Sequence, residues 1–371
     1  MTDTTLKVCL RITRLEIEKM GVHRERIYRQ RDRGVLLCSL LPFVYMWVLL
    51  VSPVTAAQPA VQTVDAIGMT VSDVDRAVAF YSTVLAFEKV SEIEVFGAEY
   101  EHLEGIFGLR MKVARMKLGD EVIELTEYLT PKGQPIPSDS HSNDLWFQHI
   151  AIVVKDMETA YERLRTFKVQ HVSTSPQTIP NWNQAAAGIQ AFYFRDPDGH
   201  NLELMYFPPG KGKTKWQDSG SRLFLGIDHS AISVRDTETS LVFYRDVLGL
   251  TVMGDSVNHG TEQEHLANVF GARVHITGLR PQGEGPGIEF LEYLAPTTGR
   301  PFPPQARAND LLYWQTRLVV DDLQGIAERL RNGKYAFLSS GIVILPNRAL
   351  GFTKGLLVRG PDGHAMMLVE K

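Results

Sequence analysis

Asp228-His229-Ser230-Ala231-Ile232-Ser233-Val234-Arg235-Asp236 reads as a short strand that runs into the cap of a helix. A branched apolar residue at every second position (Ile232, Val234) gives the strand a packing face, and His229, Ala231 and Ser233 share the other face. Asp236 is the residue type that accepts from the first free N–H groups of a helix. The closing Val-x-Asp recurs at Val71-Ser72-Asp73, Val154-Lys155-Asp156 and Val320-Asp321-Asp322. After each Asp comes one amphipathic face at helical spacing: Val74, Ala77, Val78, Tyr81; Met157, Ala160, Tyr161, Leu164; Leu323, Ile326, Ala327, Leu330; and, with a weaker start, Thr237, Ser240, Leu241, Tyr244. Short apolar or alternating runs broken by Gly, Pro and Asn follow each helix and predict a small antiparallel sheet.

The chain is therefore expected to be α+β, with four β-α-β-β-β modules at 61–130, 145–208, 225–296 and 312–371 forming two paired units. A longer repeat lies above the modules. Gly133-Gln134-Pro135-Ile136-Pro137 with Asn143-Asp144 returns as Gly299-Arg300-Pro301-Phe302-Pro303 with Asn309-Asp310, an offset of 166. Phe80-Tyr81 returns as Phe243-Tyr244, and Glu101-His102-Leu103 as Glu264-His265-Leu266, at 163. This gives a first domain at 58–210, a linker at 211–222 and a second domain at 223–371. The linker is rich in Gly, Lys and Ser, and Lys211, Lys213 and Lys215 are expected to be solvated there.

Residues 1–57 read differently. Arg24, Arg26, Arg29, Arg31 and Arg33 precede an uncharged run at 35–54, and Val54-Thr55-Ala56-Ala57 provides the small residues of a cleavage site. This is the order of a signal peptide, with cleavage expected near Ala57 or Gln58. The competing reading is a retained membrane anchor through 35–54, since 20 residues in a helix span roughly 30 Å. Either reading places the rest of the chain outside the cytoplasm, in the periplasm or the extracellular space. Met20 is an alternative start.

Of the formal charge of −4, the first 57 residues hold 9 Lys/Arg against 5 Asp/Glu, leaving 30 against 38 beyond them. A body this acidic argues against nucleic acid as a partner. With 44% hydrophobic residues and a mean hydropathy near zero, the composition excludes long disorder and a multi-span membrane protein. Both cysteines, Cys9 and Cys38, lie in the N-terminal segment, so the body has no thiol nucleophile or disulfide.

The stretch 228–236 with Phe243-Tyr244-Arg245-Asp246-Val247-Leu248-Gly249, and Arg195-Asp196-Pro197-Asp198-Gly199-His200-Asn201-Leu202-Glu203-Leu204, resemble the opening and closing signatures of the vicinal oxygen chelate superfamily, which includes glyoxalase I, extradiol dioxygenases, methylmalonyl-CoA epimerase and fosfomycin or bleomycin resistance proteins. The resemblance covers nearly all of 61–371. It implies two metal-ligand positions per module: one five residues before the Val of Val-x-Asp, the other a Glu on the last strand. Here the first positions are Ala66, His149, His229 and Gln315, and the last are Glu124, Glu203, Glu289 and Met367.

Pairing decides what these positions can do. Sites formed within each half would both be damaged. Pairing across the duplication, as in domain-swapped members and their fused versions, gives one complete set, His149, Glu203, His229 and Glu289, and one defective set, Ala66, Glu124, Gln315 and Met367. Ala cannot ligate and Met is too soft for a hard divalent ion. Both defects falling in one set favours the crossed arrangement.

A lone His on a strand is ordinarily a satisfied structural residue, and a lone Glu there ordinarily faces solvent. Four together at these positions point to a divalent metal: Zn, Ni, Fe, Mn or Co. The histidines are expected at the rim of a concavity. His102, His265, His200 and His364 lie off this register and are read as surface residues or supports of the ligands. Asp196-Pro197-Asp198-Gly199 is a turn, not a calcium loop.

By resemblance, the expected function is a glyoxalase I-like isomerase or lyase acting on a small oxygenated substrate, with Glu203 moving the proton. The alternatives are an extradiol-type dioxygenase using Fe(II) on two His and one carboxylate, and a non-enzymatic protein that sequesters a small molecule.

Overall fold

A computed structural model describes residues 61–217 and 220–371. The expected signal or anchor at 1–57 lies outside the described residues. Each Val-x-Asp does what its composition predicts: Asp73, Asp156, Asp236 and Asp322 are extended or near-extended residues whose carboxylates accept from the backbone N–H three residues on, of Arg76, Thr159, Thr239 and Gly325. Each such cap is worth about 1 kcal/mol.

The first module comprises β1 (Val61–Thr70), α1 (Val74–Leu85), β2 (Glu88–Phe96), α2 (Ala98–Glu104), β3 (Arg110–Leu118) and β4 (Glu121–Thr130). The second has β5 (Gln148–Val154), α3 (Met157–Thr166), β6 (Gln170–His171), β7 (Gln177–Thr178), β8 (Gln190–Arg195) and β9 (Asn201–Tyr206). In the third are β10 (Phe224–Val234), α4 (Thr237–Leu241), β11 (Thr251–His259), α5 (Thr261–Ala267), β12 (Arg273–Arg280) and β13 (Gly287–Ala295); α4, the helix with the weaker apolar start, runs on into a π-helical turn at Val242–Val247. The fourth is β14 (Trp314–Val320), α6 (Leu323–Asn332), β15 (Val343–Ile344), β16 (Lys354–Arg359) and β17 (Ala365–Glu370).

Every module closes on itself by pairing its first strand parallel to its last: β1 with β4, β5 with β9, β10 with β13, β14 with β17. Two sheets result, and both cross the duplication. β1 pairs antiparallel with β14, joining the first and fourth modules in an eight-stranded sheet. β5 pairs antiparallel with β10, joining the second and third in a nine-stranded sheet. The consecutive domains of the sequence are thus units of duplication, and the physical pairs are first with fourth and second with third.

The helix-facing side of each strand makes one continuous core. Ile150, Ile152, Val154, Ile232 and Val234 pack there with Met157, Ala160, Leu164 and Leu241, and Val61, Ile67, Leu318 and Val320 of the other sheet join the same cluster. Arg163 of α3 donates to the terminal carbonyls of α1, at Val84 and Thr83, tying the two units together. The long repeat has a structural cause. Gln134 N–H donates to Asp310, and Arg300 N–H to Asp144, so each Gly-x-Pro loop docks on the Asn-Asp of the other half. A Cβ on Gly133 would lie 1.9 Å from the Asn309 carbonyl oxygen, and one on Gly299 1.8 Å from that of Asn143, so the two loops require glycine.

The linker is not the solvated strap its composition suggests. Residues Thr214–Trp216 form a 3₁₀ turn with Trp216 buried against Val153 and Leu225. Lys213 donates to the Gly285 carbonyl and Lys215 pairs with the buried Glu121. The lone Trp anchors the segment, and the Lys213 and Lys215 ammonium groups lie over its ring at 6.0 and 4.4 Å from the centroid.

Candidate metal centre

The concave face of the nine-stranded sheet carries the alternate residues of its central strands. β5 and β10 contribute His149 and His229, and β9 and β13 contribute Glu203 and Glu289. Register brings them together: Ala231 lies opposite His149 on one side and Glu289 on the other, and Glu203 lies opposite Ala151. Ligand atoms of His149, Glu203 and His229 all fall within 4.8 Å of one another. His149 Nε2 is 3.1 Å and His229 Nε2 3.7 Å from Glu203 Oε2, and Glu289 Oε1 is 3.5 Å from His229 Nε2.

His149, Glu203 and His229 are buried and aimed inward. His149 is 1% exposed, so it lies at the floor of the concavity and not at its rim; Phe147 and Tyr193 pack their rings against it. Neither nitrogen of His149, nor His229 Nε2, nor Glu203 Oε2 makes a hydrogen bond. An orphaned buried polar atom costs about 1–3 kcal/mol, more if charged, and three converging in one place, one each from His149, Glu203 and His229, fit a bound cation.

His229 is held by a neighbour that sequence reading passed over. Asp228 accepts from His229 Nδ1 at 3.2 Å and is itself bound by Arg280 and by the indole N–H of Trp216. That chain of contacts leaves Nε2 as the ligating nitrogen. Burial pushes the His229 imidazolium down, but the Glu289, Asp228 and Glu203 carboxylates outweigh it and hold its pKa at about 9. Burial, and the nearby Glu203, raise the Glu289 carboxyl despite the pull of His229. The centre is strongly polarised toward a positive charge. Only Glu289, with a side chain 24% exposed, reaches solvent.

The equivalent place in the eight-stranded sheet holds Ala66, Glu124, Gln315 and Met367 as expected, together with a residue the sequence reading did not single out. Arg317, two positions beyond Gln315 on the same face, is 2% exposed and lies opposite Ala66 and Met367. Its guanidinium donates to Glu124 Oε1 at 2.8 Å, to Asp65 Oδ2 at 2.8 Å and to the Leu350 carbonyl at 3.0 Å, over the ring of Phe352. A built-in cation therefore meets the carboxylate that stands at a ligand position. Beside it, burial pushes the Glu104 carboxyl up to about 7, against the hydrogen bond donated by Tyr128.

A family model for the Glyoxalase/Bleomycin resistance protein/Dioxygenase superfamily matches residues 63–204 and again 226–368. The chain belongs to this superfamily. Among curated proteins it is similar to a 2-epi-5-epi-valiolone epimerase of Actinomyces sp., with 31% identity over 157 residues, which is 41% of this chain and 83% of the relative. The fold is similar to glyoxalase I of Zea mays (TM-score 0.54, 17% identity, covering 83% of this chain and 92% of the other) and to a presumed dioxygenase of Bacillus subtilis (TM-score 0.52, 14% identity, 84% and 86%).

Within the superfamily's closing turn, His200 and His364 are neither surface residues nor supports of the ligands; both are buried at the seam between modules. His200 donates to Asp196 at 2.8 Å and to the Leu311 carbonyl at 2.8 Å, whereas His364, with Gly360 where the other turn has Asp196, has no carboxylate on its ring and meets the backbone of Ser233 and Leu145 and the ring of Phe302. Burial opposes charge on both members of the Asp196–His200 pair, yet their mutual attraction prevails: Asp196 is held below the usual carboxylate range and His200 above the usual histidine range. The pair's full contribution is therefore present between about pH 4 and 6.5 and is lost as pH rises through the raised His200 value or falls through the lowered Asp196 value. Urea unfolding of metal-free protein should show His200→Asn costing more stability at about pH 6 than at about pH 9. An equal cost at both would exclude the charged pair.

Proposed function

We propose that the protein is a metal-dependent isomerase of its superfamily, moving a proton between neighbouring carbons of a small oxygenated substrate. The observation that carries the reading is the second carboxylate. His149, His229 and one Glu are enough to hold an ion, so with Glu289 as the second carboxylate Glu203 can serve as a ligand that leaves the ion and acts as a base. A divalent ion bound there (Zn, Ni, Fe, Mn or Co) would polarise two adjacent substrate oxygens and favour loss of a proton from the carbon that bears one of them. His149 and His229 hold the ion, Asp228 fixes the ring of His229, and Phe147 and Tyr193 exclude water from the inner side. Glu203, between the two histidines, takes the proton and returns it. The relative that is an epimerase supports proton transfer over oxygen insertion. Export of the body, by a cleaved signal or with an anchor at 35–54, is part of the proposal and rests on the sequence of residues 1–57.

The experiment is turnover with and without O2 on 2-oxoaldehyde adducts, epimerisable acyl thioesters, cyclic hydroxyketones and catechols, with deuterium uptake from solvent followed by NMR. Oxygen-independent exchange at a carbon next to a carbonyl is expected. A strict need for O2 and Fe(II) would replace this reading with the dioxygenase, and binding without exchange would replace it with sequestration.

A further inference from the structure

The concave face at the metal centre is walled on one flank and bare on the other. Tyr193 of β8 stands directly opposite Glu203 and packs its ring on His149. On the other flank the residue opposite Glu289 is Gly278 of β12, and the residue opposite Gly278 is Gly254 of β11, the edge strand of the sheet. Opposed residues on neighbouring strands point to the same face, so side chains at 278 and 254 would lie level with Glu289. Leaving chain neighbours aside, a Cβ on Gly278 would meet one atom within 4 Å among the described residues, the Gly254 carbonyl oxygen at 4.0 Å, and a Cβ on Gly254 would meet none. A bare strip therefore runs from Glu289 to the open edge of the sheet. Glu289 is also the carboxylate of the centre that reaches solvent, whereas the Glu203 side chain is 4% exposed. Beside Glu289, at 3.5 Å, stands His229 Nε2, buried and without a hydrogen bond.

Gly254 has its own reason to be glycine, since it follows a register shift and has φ of 155°. Gly278 has neither a positive φ nor a neighbour packed where its side chain would be. A glycine inside a strand costs conformational entropy and gives up packing, and close approach of a ligand is one of the few things that explains it. The eight-stranded sheet supplies the comparison. There the residue opposite Glu124 is Arg115 of β3, with Ser91 of β2 beyond it, and the Arg115 guanidinium lies 3.7 Å from Glu124 and 3.8 Å from Asp65. The strip is filled in the unit that carries its own cation and bare in the unit that gathers His149, Glu203 and His229. We propose, resting on the isomerase reading of this centre, that substrate reaches it over Gly278, and that Gly278 sets the size of the group a substrate carries beside the two oxygens it presents to the ion. Tyr193 closes the β8 flank, so such a group has the β12 flank to lie on. On that face Gly278 sits between the half-buried Ile276 and Arg280, whose guanidinium is taken up by Asp228, and a side chain at 278 is the piece left out.

Hydroxamates test this without turnover, because they present two neighbouring oxygens and the group beside them can be varied. The full chain loaded with Co(II) is titrated with acetohydroxamate, which carries a methyl, and with benzohydroxamate, which carries a phenyl ring, and binding is followed in the visible absorption of the cobalt. The parent should bind both. Gly278→Leu should weaken benzohydroxamate by about tenfold or more and acetohydroxamate by no more than about twofold, with cobalt content and urea midpoint unchanged. Gly278→Ala adds one carbon to open space and should show the same split to a smaller degree, which keeps the test in force if the leucine variant fails to fold. Equal loss of both probes, or loss of neither, overturns the proposal, as does a parent that takes the methyl probe and refuses the phenyl one. Failure of the isomerase reading looks different: the probes split at Gly278→Leu, which upholds the strip, yet no substrate exchanges deuterium with solvent. A parent that binds neither hydroxamate overturns both.

Discussion

Glu203→Gln should lower turnover by about 10²- to 10⁴-fold, the usual contribution of a positioned base, while the protein stays folded. Gln is nearly the same size and keeps one oxygen that could ligate, so the change removes proton transfer more than packing. Glu203 Oε2 makes no hydrogen bond in the structure, and the amide leaves the surrounding bonds intact. Kinetics on the substrate that exchanges deuterium, with circular dichroism as the check on folding, decide the matter. Activity within about tenfold of the parent would assign the base elsewhere, with Glu289 the next carboxylate to test.

Arg317→Met should destabilise the protein by about 3 kcal/mol, near the lower end for breaking a buried ion pair, because Asp65 keeps Lys371 and Glu124 keeps Arg115 at 3.7 Å. Met fills most of the volume, so the loss comes from the Glu124 carboxylate, left with only the more distant Arg115. The double change Arg317→Met with Glu124→Leu should recover a large part of it, since exchanging a buried pair for apolar residues is often neutral. Urea midpoints of the two variants measure this. A loss below about 1 kcal/mol in the single variant would show that the guanidinium is solvated and does not occupy the centre as a cation.

The modules were legible in the sequence because their signals are local. An Asp followed by a helical stripe, and a strand with alternating small and branched residues, depend on neighbours within a turn or two. Crossed pairing was legible for a different reason: His149, Glu203, His229 and Glu289 are complete only in that arrangement, and Ala66 and Met367 are both defective in the other. Arg317 was missed because a single charged residue in a strand ordinarily faces water. Only its place two residues past Gln315, on the face of a ligand position, hinted otherwise. Asp228 was overlooked for want of period, since it neighbours His229 in sequence and reaches its ring only through the local twist of β10. The depth of His149 and the docking of Trp216 depend on how Phe147, Tyr193 and Val153 pack in three dimensions, which no local pattern reveals.

The protein is expected to have one centre that holds a metal and one that carries its own cation. Elemental analysis of the purified full chain, beside His149→Ala and His229→Ala, tests it most directly. About one divalent ion per chain is expected in the parent, and little in either variant at unchanged fold. Two ions per chain, or one that survives both substitutions, would contradict it.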